Sequence, residues 1–172
     1  ASVKAAAKAN PKVDFVQIDD NSISLTNVKA VVYETDQAAF LGGYIAAAYS
    51  KTGTVATWGG AEYPSVTIYM DGIYDGVQYY NQQNHKNVKV LGWNEKNQKG
   101  GTFSQSFTDQ NKGKQISQTF IQQGADIIFP VAGGAGLGAG AAAQASGGKA
   151  NVIWVDTDGC VSAVQYCKYF IT

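Results

Sequence analysis

Six short runs rich in β-branched and aromatic residues recur along the chain: VDFVQIDD, VKAVVYETD, GTVATWGG, NVKVLGWNE, ADIIFPVAGG and NVIWVDTD. Each ends in a polar or glycine-rich stop, and most are followed by a stretch of helical length. Strands that are apolar at nearly every position are buried on both faces, and helix-length connections let them run parallel with crossover helices on either side. The pattern predicts an α/β protein built on parallel sheets.

The intervening segments carry helix signals. From Pro64, at a first helical position, Val66, Tyr69, Ile73, Val77 and Tyr80 recur near a 3.6-residue period and form an apolar stripe. Asp109 can cap a helix through Ile116, Phe120 and Ile121 that Gly124 closes. Two more helices run from Gln37 to about Ser50, capped by Asp36 or Thr35, and from Leu137 to about Ala145. A hinge is expected near Lys51-Thr52-Gly53, separating residues 1–52 from a fuller βαβ unit.

The 172 residues, 45% of them hydrophobic, can fill one good core or two small ones. Thirteen Lys+Arg balance thirteen Asp+Glu, so nucleic acid and anionic membrane surfaces are not expected partners. Apolar runs fall short of the roughly 20 residues of a membrane-spanning helix. The chain opens without Met on ASVKAAAKANPKV, which reads as the end of a helix and suggests a processed or truncated piece.

In doubly wound sheets ligands sit beyond the carboxyl ends of the strands. Those ends offer Glu34-Thr35-Asp36, Trp58-Gly59-Gly60, Trp93-Asn94, Ala132-Gly133-Gly134 and Asp156-Thr157-Asp158. Aromatic plates, carboxylates and bare backbone suit a neutral polar ligand with rings and hydroxyls. Phe107 lies in the polar loop GTFSQSFTDQNKGK, where a large ring has little reason to be unless it touches something. Gly136-x-Gly138-x-x-Ala141 matches a loose dinucleotide fingerprint, which keeps a nicotinamide-dependent oxidoreductase as an alternative; the bland readings are tight helix packing or backbone presented to another ligand. His85, the only histidine, sits in the polar stretch NQQNHKN, so no catalytic or metal constellation can be built around it and no enzyme is expected. Cys160 and Cys167 match no redox or zinc spacing; they form a disulfide if the chain is exported and remain thiols in the cytosol.

Taken in order, DQAAFLGGYIAAAYSKTGTVATWGG, the Gly72-x-x-x-Gly76 spacing, SFTDQNKGK, GADIIFPVAGGAGLG and NVIWVDTD resemble the basic membrane protein family. These are lipoprotein receptors of ABC importers, typified by purine nucleoside receptors. The resemblance implies the type I periplasmic-binding-protein fold: two Rossmann-like lobes around a ligand, one nearly complete here and the other partial. It implies a partial N-terminal lobe over residues 1–52, a C-terminal lobe over 53–160, and a crossover back over 161–172. By matching positions, Asp36 would meet the purine, Phe107 stack on it, Gly133 and Gly134 lie near the ribose, and Asp156 accept ribose hydroxyls. Trp58 and Trp93 depart from the family's usual residues and leave the ligand open, with a sugar or a sensor domain of the same fold as alternatives. No cofactor is implied. The expected partners are a nucleoside-like ligand and an ABC permease, outside the membrane, with a lipid anchor beyond this sequence. Export in turn favours a Cys160–Cys167 disulfide.

Overall fold

The computed structural model describes residues 2–171. The chain divides after Glu34 into two compact units.

In the first unit, helix α1 (Ser2–Ala9) precedes strands β1 (Phe15–Ile18) and β2 (Val28–Val31), which pair in parallel with Phe15 opposite Val28. The Asn27 side-chain amide donates to the carbonyls of Ala7, Asn10 and Val13 at 2.9–3.2 Å. Shared among three carbonyls at and just after the end of α1, this one amide ties the helix end to the start of β2.

The second unit holds β3 (Thr54–Gly59), β4 (Lys89–Leu91), β5 (Ile127–Val131) and β6 (Asn151–Val152), all parallel in the order β4-β3-β5-β6. All six sequence runs are strands, and β5 is buried at every residue, as a strand covered on both faces must be. The chain winds outward from β3 to β4, then returns past β3 to β5, so the winding reverses between β3 and β5. Pro130 in β5 has no N–H to give. It is tolerated because the bonding to β6 has already ended, at Ile153 N–H to the Ile128 carbonyl.

Helices cover both faces. Helix α3 (Pro64–Asn84) turns Val66, Met70, Ile73 and Val77 onto the sheet and stops where His85 adopts a left-handed φ of 52°. Helix α4 (Gln110–Gln122) starts at Asp109, whose carboxylate accepts from the Lys112 N–H, and α5 (Leu137–Ala145) packs beside it. One core cluster includes Val55, Met70, Ile73 and Phe129 on the α3 side; the other includes Trp58, Phe120, Ile128 and Ala139 on the α4–α5 side.

Helix α2 (Thr35–Tyr49) begins slightly earlier than its capping residues suggest, with Thr35 and Asp36 inside its first turn. It crosses α3 backbone to backbone: a β-carbon on Gly72 or Gly76 would collide with the carbonyl oxygens of Asp36 and Phe40. This close packing places α2 in the second unit, so the division falls at Glu34–Thr35 and not at the expected 52/53 border. The Lys51–Gly53 turn is instead pinned by buried Asp126, whose carboxylate accepts from the Ser50 hydroxyl at 2.6 Å and the Lys51 and Thr52 N–H groups at 2.6 and 3.0 Å. Nor does the chain leave this unit at residue 161. Helix α6 (Gly159–Ser162) and a 3-10 turn over Val164–Tyr169 lead to Phe170, which lies parallel beside Val152 at the sheet edge. A disulfide joins Cys160 to Cys167 across this excursion.

Candidate functional site

Reversal of the winding between β3 and β5 opens a crevice beyond their carboxyl ends, the usual ligand position in such sheets. A loop is laid against the β3 side of it. Gly59 N–H donates to the Thr102 carbonyl, and Ser104 and Ser106 N–H donate to the Gly59 and Gly60 carbonyls, at 2.9–3.0 Å. The fully buried Ser104 hydroxyl donates back to the Ser106 carbonyl at 2.6 Å. This delivers Phe107 to the crevice, with its ring seated on Gly60 at a separation no side chain there would allow. The Phe107 carbonyl accepts from Ala135 N–H at 3.0 Å, bringing the loop against the β5 exit, where Gly133 and Gly134 stand exposed. Phe107 is 39% exposed and lies nearly parallel to the exposed ring of Tyr63, with centroids 6.2 Å apart.

Asp156 follows β6 on the same rim of the sheet. It is exposed, adopts a left-handed φ of 67°, and accepts the Tyr69 hydroxyl at 3.1 Å. A groove of about 300 Å³ runs from Asp156 and Tyr69 past Phe129, Ile153 and Val155 to Leu41 and Ile45 of α2.

Asp36 lines a different groove, of about 430 Å³, with Phe40, Asp71, Asp75 and Glu95. Its Oδ1 is buried without a hydrogen-bond partner. Partial burial, and next the Asp71 carboxylate, raise the Asp75 pKa above its ordinary value. The folded state therefore holds this proton more tightly than the unfolded chain, and ionisation of Asp75 costs stability. Asp75→Asn is expected to raise Tm at pH 7, with the gain vanishing as pH falls through the raised pKa and below the ordinary carboxylate value of about 3.9. A gain independent of pH would show that this charge carries no such cost.

The tryptophans at the strand ends do not present open rings. Trp58 is wholly buried and donates its indole N–H to the Ser117 hydroxyl at 3.1 Å. Trp93 is 4% exposed, donates to Asp71 at 2.8 Å and meets Phe103 edge to face. Both belong to the support of the rim, which corrects the expectation that they line the cleft. Trp154 is partly buried and stacks on Phe170 at 5.3 Å. The glycine run serves packing: Gly138 lies against the α4 backbone at Gln110 and Lys114, and Gly140 against Tyr166. Among the described residues no group of His, Cys, Asp or Glu could hold a metal, and no helix is long and apolar enough to cross a membrane.

Two residues at the site escaped the sequence reading. Tyr63 had a signal, since a bulky ring stands just before Pro64, where a small capping residue is preferred. Tyr69 had none, because its spacing marks it as core and its ring does pack against the α3-side cluster; only the fold reveals where its hydroxyl reaches.

Residues 1–168 match the family model described as ABC transporter substrate-binding protein, PnrA-like. The ABC transporter nucleoside-binding protein BmpA of Lactococcus lactis subsp. cremoris is 29% identical over 157 residues, covering 90% of this chain and 41% of the relative. Basic membrane protein B of Borreliella burgdorferi is 33% identical over 153 residues, covering 87% and 41%. Among solved structures, an ABC transporter solute-binding protein from Aeropyrum pernix K1 superposes with a TM-score of 0.71 at 25% identity, covering 88% of this chain and 42% of that one. The chain thus spans about two-fifths of the length of these relatives, and its fold is that of the type I periplasmic binding proteins.

Proposed function

Because the chain belongs to the PnrA-like family of ABC-transporter substrate-binding proteins, we propose that it is part of a lipid-anchored receptor outside the cell membrane that delivers a purine nucleoside to an ABC permease. The observation that carries this reading is the half-exposed Phe107 ring beside the bare backbone of Gly133 and Gly134 at the crevice between β3 and β5. In this reading the base stacks on Phe107, backbone groups of Gly133 and Gly134 meet the ribose, and Asp156 accepts ribose hydroxyls. By its matching position Asp36 meets an N–H on the purine edge, for which its Oδ1, buried without a partner in the groove it shares with Asp71 and Asp75, has to turn toward the base, removing the cost of an unsatisfied buried acceptor. The Lactococcus relative is a nucleoside-binding protein, which supports the ligand class. The Cys160–Cys167 disulfide accords with an oxidising location outside the cytosol. These groups bind and orient; no bond-making step is assigned to them.

Calorimetric titration of the full receptor with adenosine tests the reading. Stacking of a base on an aromatic ring is worth roughly 1–3 kcal/mol by alanine substitution, so Phe107→Ala is expected to weaken binding about tenfold. An unchanged Kd would remove Phe107 from the site. A thermal shift with NAD and none with nucleosides would overturn the nucleoside reading.

A further inference from the structure

A carboxylate on an exposed strand end can rotate, and each rotamer frozen on binding costs affinity. Asp156 is not left free in this way. Its backbone is held at a positive φ that non-glycine residues seldom adopt, and its Oδ1 accepts the phenol of Tyr69. The phenol is itself anchored: Tyr69 comes from α3, half-buried, with its ring packed against the cluster of Met70, Ile73, Phe129 and Ile153. One donor occupies one of the roughly four acceptor positions of an ionised carboxylate, leaving the others for ligand hydroxyls.

The geometry assigns Tyr69 as a positioning residue for sugar recognition: its hydroxyl presets the Asp156 carboxylate, and through it the preference for a ligand with vicinal hydroxyls. This assignment rests on the reading that Asp156 accepts the ribose hydroxyls. In this assignment Tyr69 acts by fixing the group that meets the ligand. The phenol and carboxylate meet across 87 positions of sequence, so the packing of α3 on the sheet is what aligns them.

The test compares adenosine, 2′,3′-dideoxyadenosine and adenine as ligands of the full receptor, with Tyr69→Phe, Asp156→Ala and the double variant. Tyr69→Phe keeps the packed ring and removes the hydroxyl. It is expected to weaken adenosine binding about fivefold, on the scale of a hydrogen bond to a charged group acting indirectly, and to leave dideoxyadenosine and adenine within about twofold. On the Asp156→Ala background it should add nothing, since the group it positions is gone. Equal losses for all three ligands would make Tyr69 a packing residue and overturn the assignment, as would no loss for any. If Asp156→Ala discriminates the ligands while Tyr69→Phe does not, only the Tyr69 assignment fails. If Asp156→Ala does not discriminate them, the ribose reading fails and this assignment with it.

Discussion

Trp58→Ala is expected to destabilise the second unit by about 3–5 kcal/mol, the range for truncating a large buried aromatic. Two costs combine at this position. Its ring is wholly buried in a cluster with Phe120 and Ala135, and a terminal ring carbon packs where Gly113 brings α4 close. Its indole N–H also satisfies the fully buried Ser117 hydroxyl, which truncation would strand. Trp58→Phe retains part of the volume and loses the donor, so it should fall between wild type and Trp58→Ala. Urea unfolding followed by circular dichroism measures both. A loss below about 1 kcal/mol for the alanine variant, the size of a routine substitution, would mean that the site collapses freely around the gap.

Asp126→Ala is expected to cost about 3 kcal/mol, because it abandons three donors at once and hydrogen bonds to a charged group are worth about 1.5–3 kcal/mol each before compensation by water. The Lys51 and Thr52 N–H groups and the Ser50 hydroxyl all converge on this one carboxylate. Asp126→Asn retains one carbonyl acceptor and should recover part of the loss. Hydrogen exchange localises the effect: protection should fall at Lys51 and Thr52 well before it falls in β5. Loss of protection spread evenly over the sheet would show that Asp126 supports the fold globally and not this turn.

Elements whose formation depends on local chemistry were legible in the sequence. The six strands follow from dense β-branched runs, and α4 follows from Asp109 at its start and Gly124, at φ 98°, just after its end. Residues that depend on which face a strand turns, or on what a distant helix covers, were not legible. Trp58 and Thr57 are neighbours at a strand end, yet nothing local tells that α4 will seal Trp58 with Ser117, 59 positions away. Tyr63 meets Phe107 and Tyr69 meets Asp156 through the same kind of long-range closure. The border at Glu34 lay between these cases. Turn chemistry at Lys51–Gly53 marks a pinned bend inside the second unit, whereas Gly72 and Gly76, four apart on α3, mark a helix surface that another backbone can approach.

The loop that carries Phe107 is hydrogen-bonded to β3 on one side and to the β5 exit on the other. A ring mounted on such a support pays little conformational entropy when it meets a ligand, and encounter does not wait for it to find its position. Time-resolved binding should therefore separate two kinds of variant. Truncating the ring shortens residence and leaves the association rate nearly unchanged, whereas loosening the loop, as in Ser104→Ala, which removes the buried hydroxyl's bonds to the Gly60 and Ser106 carbonyls, slows capture by making the ring search.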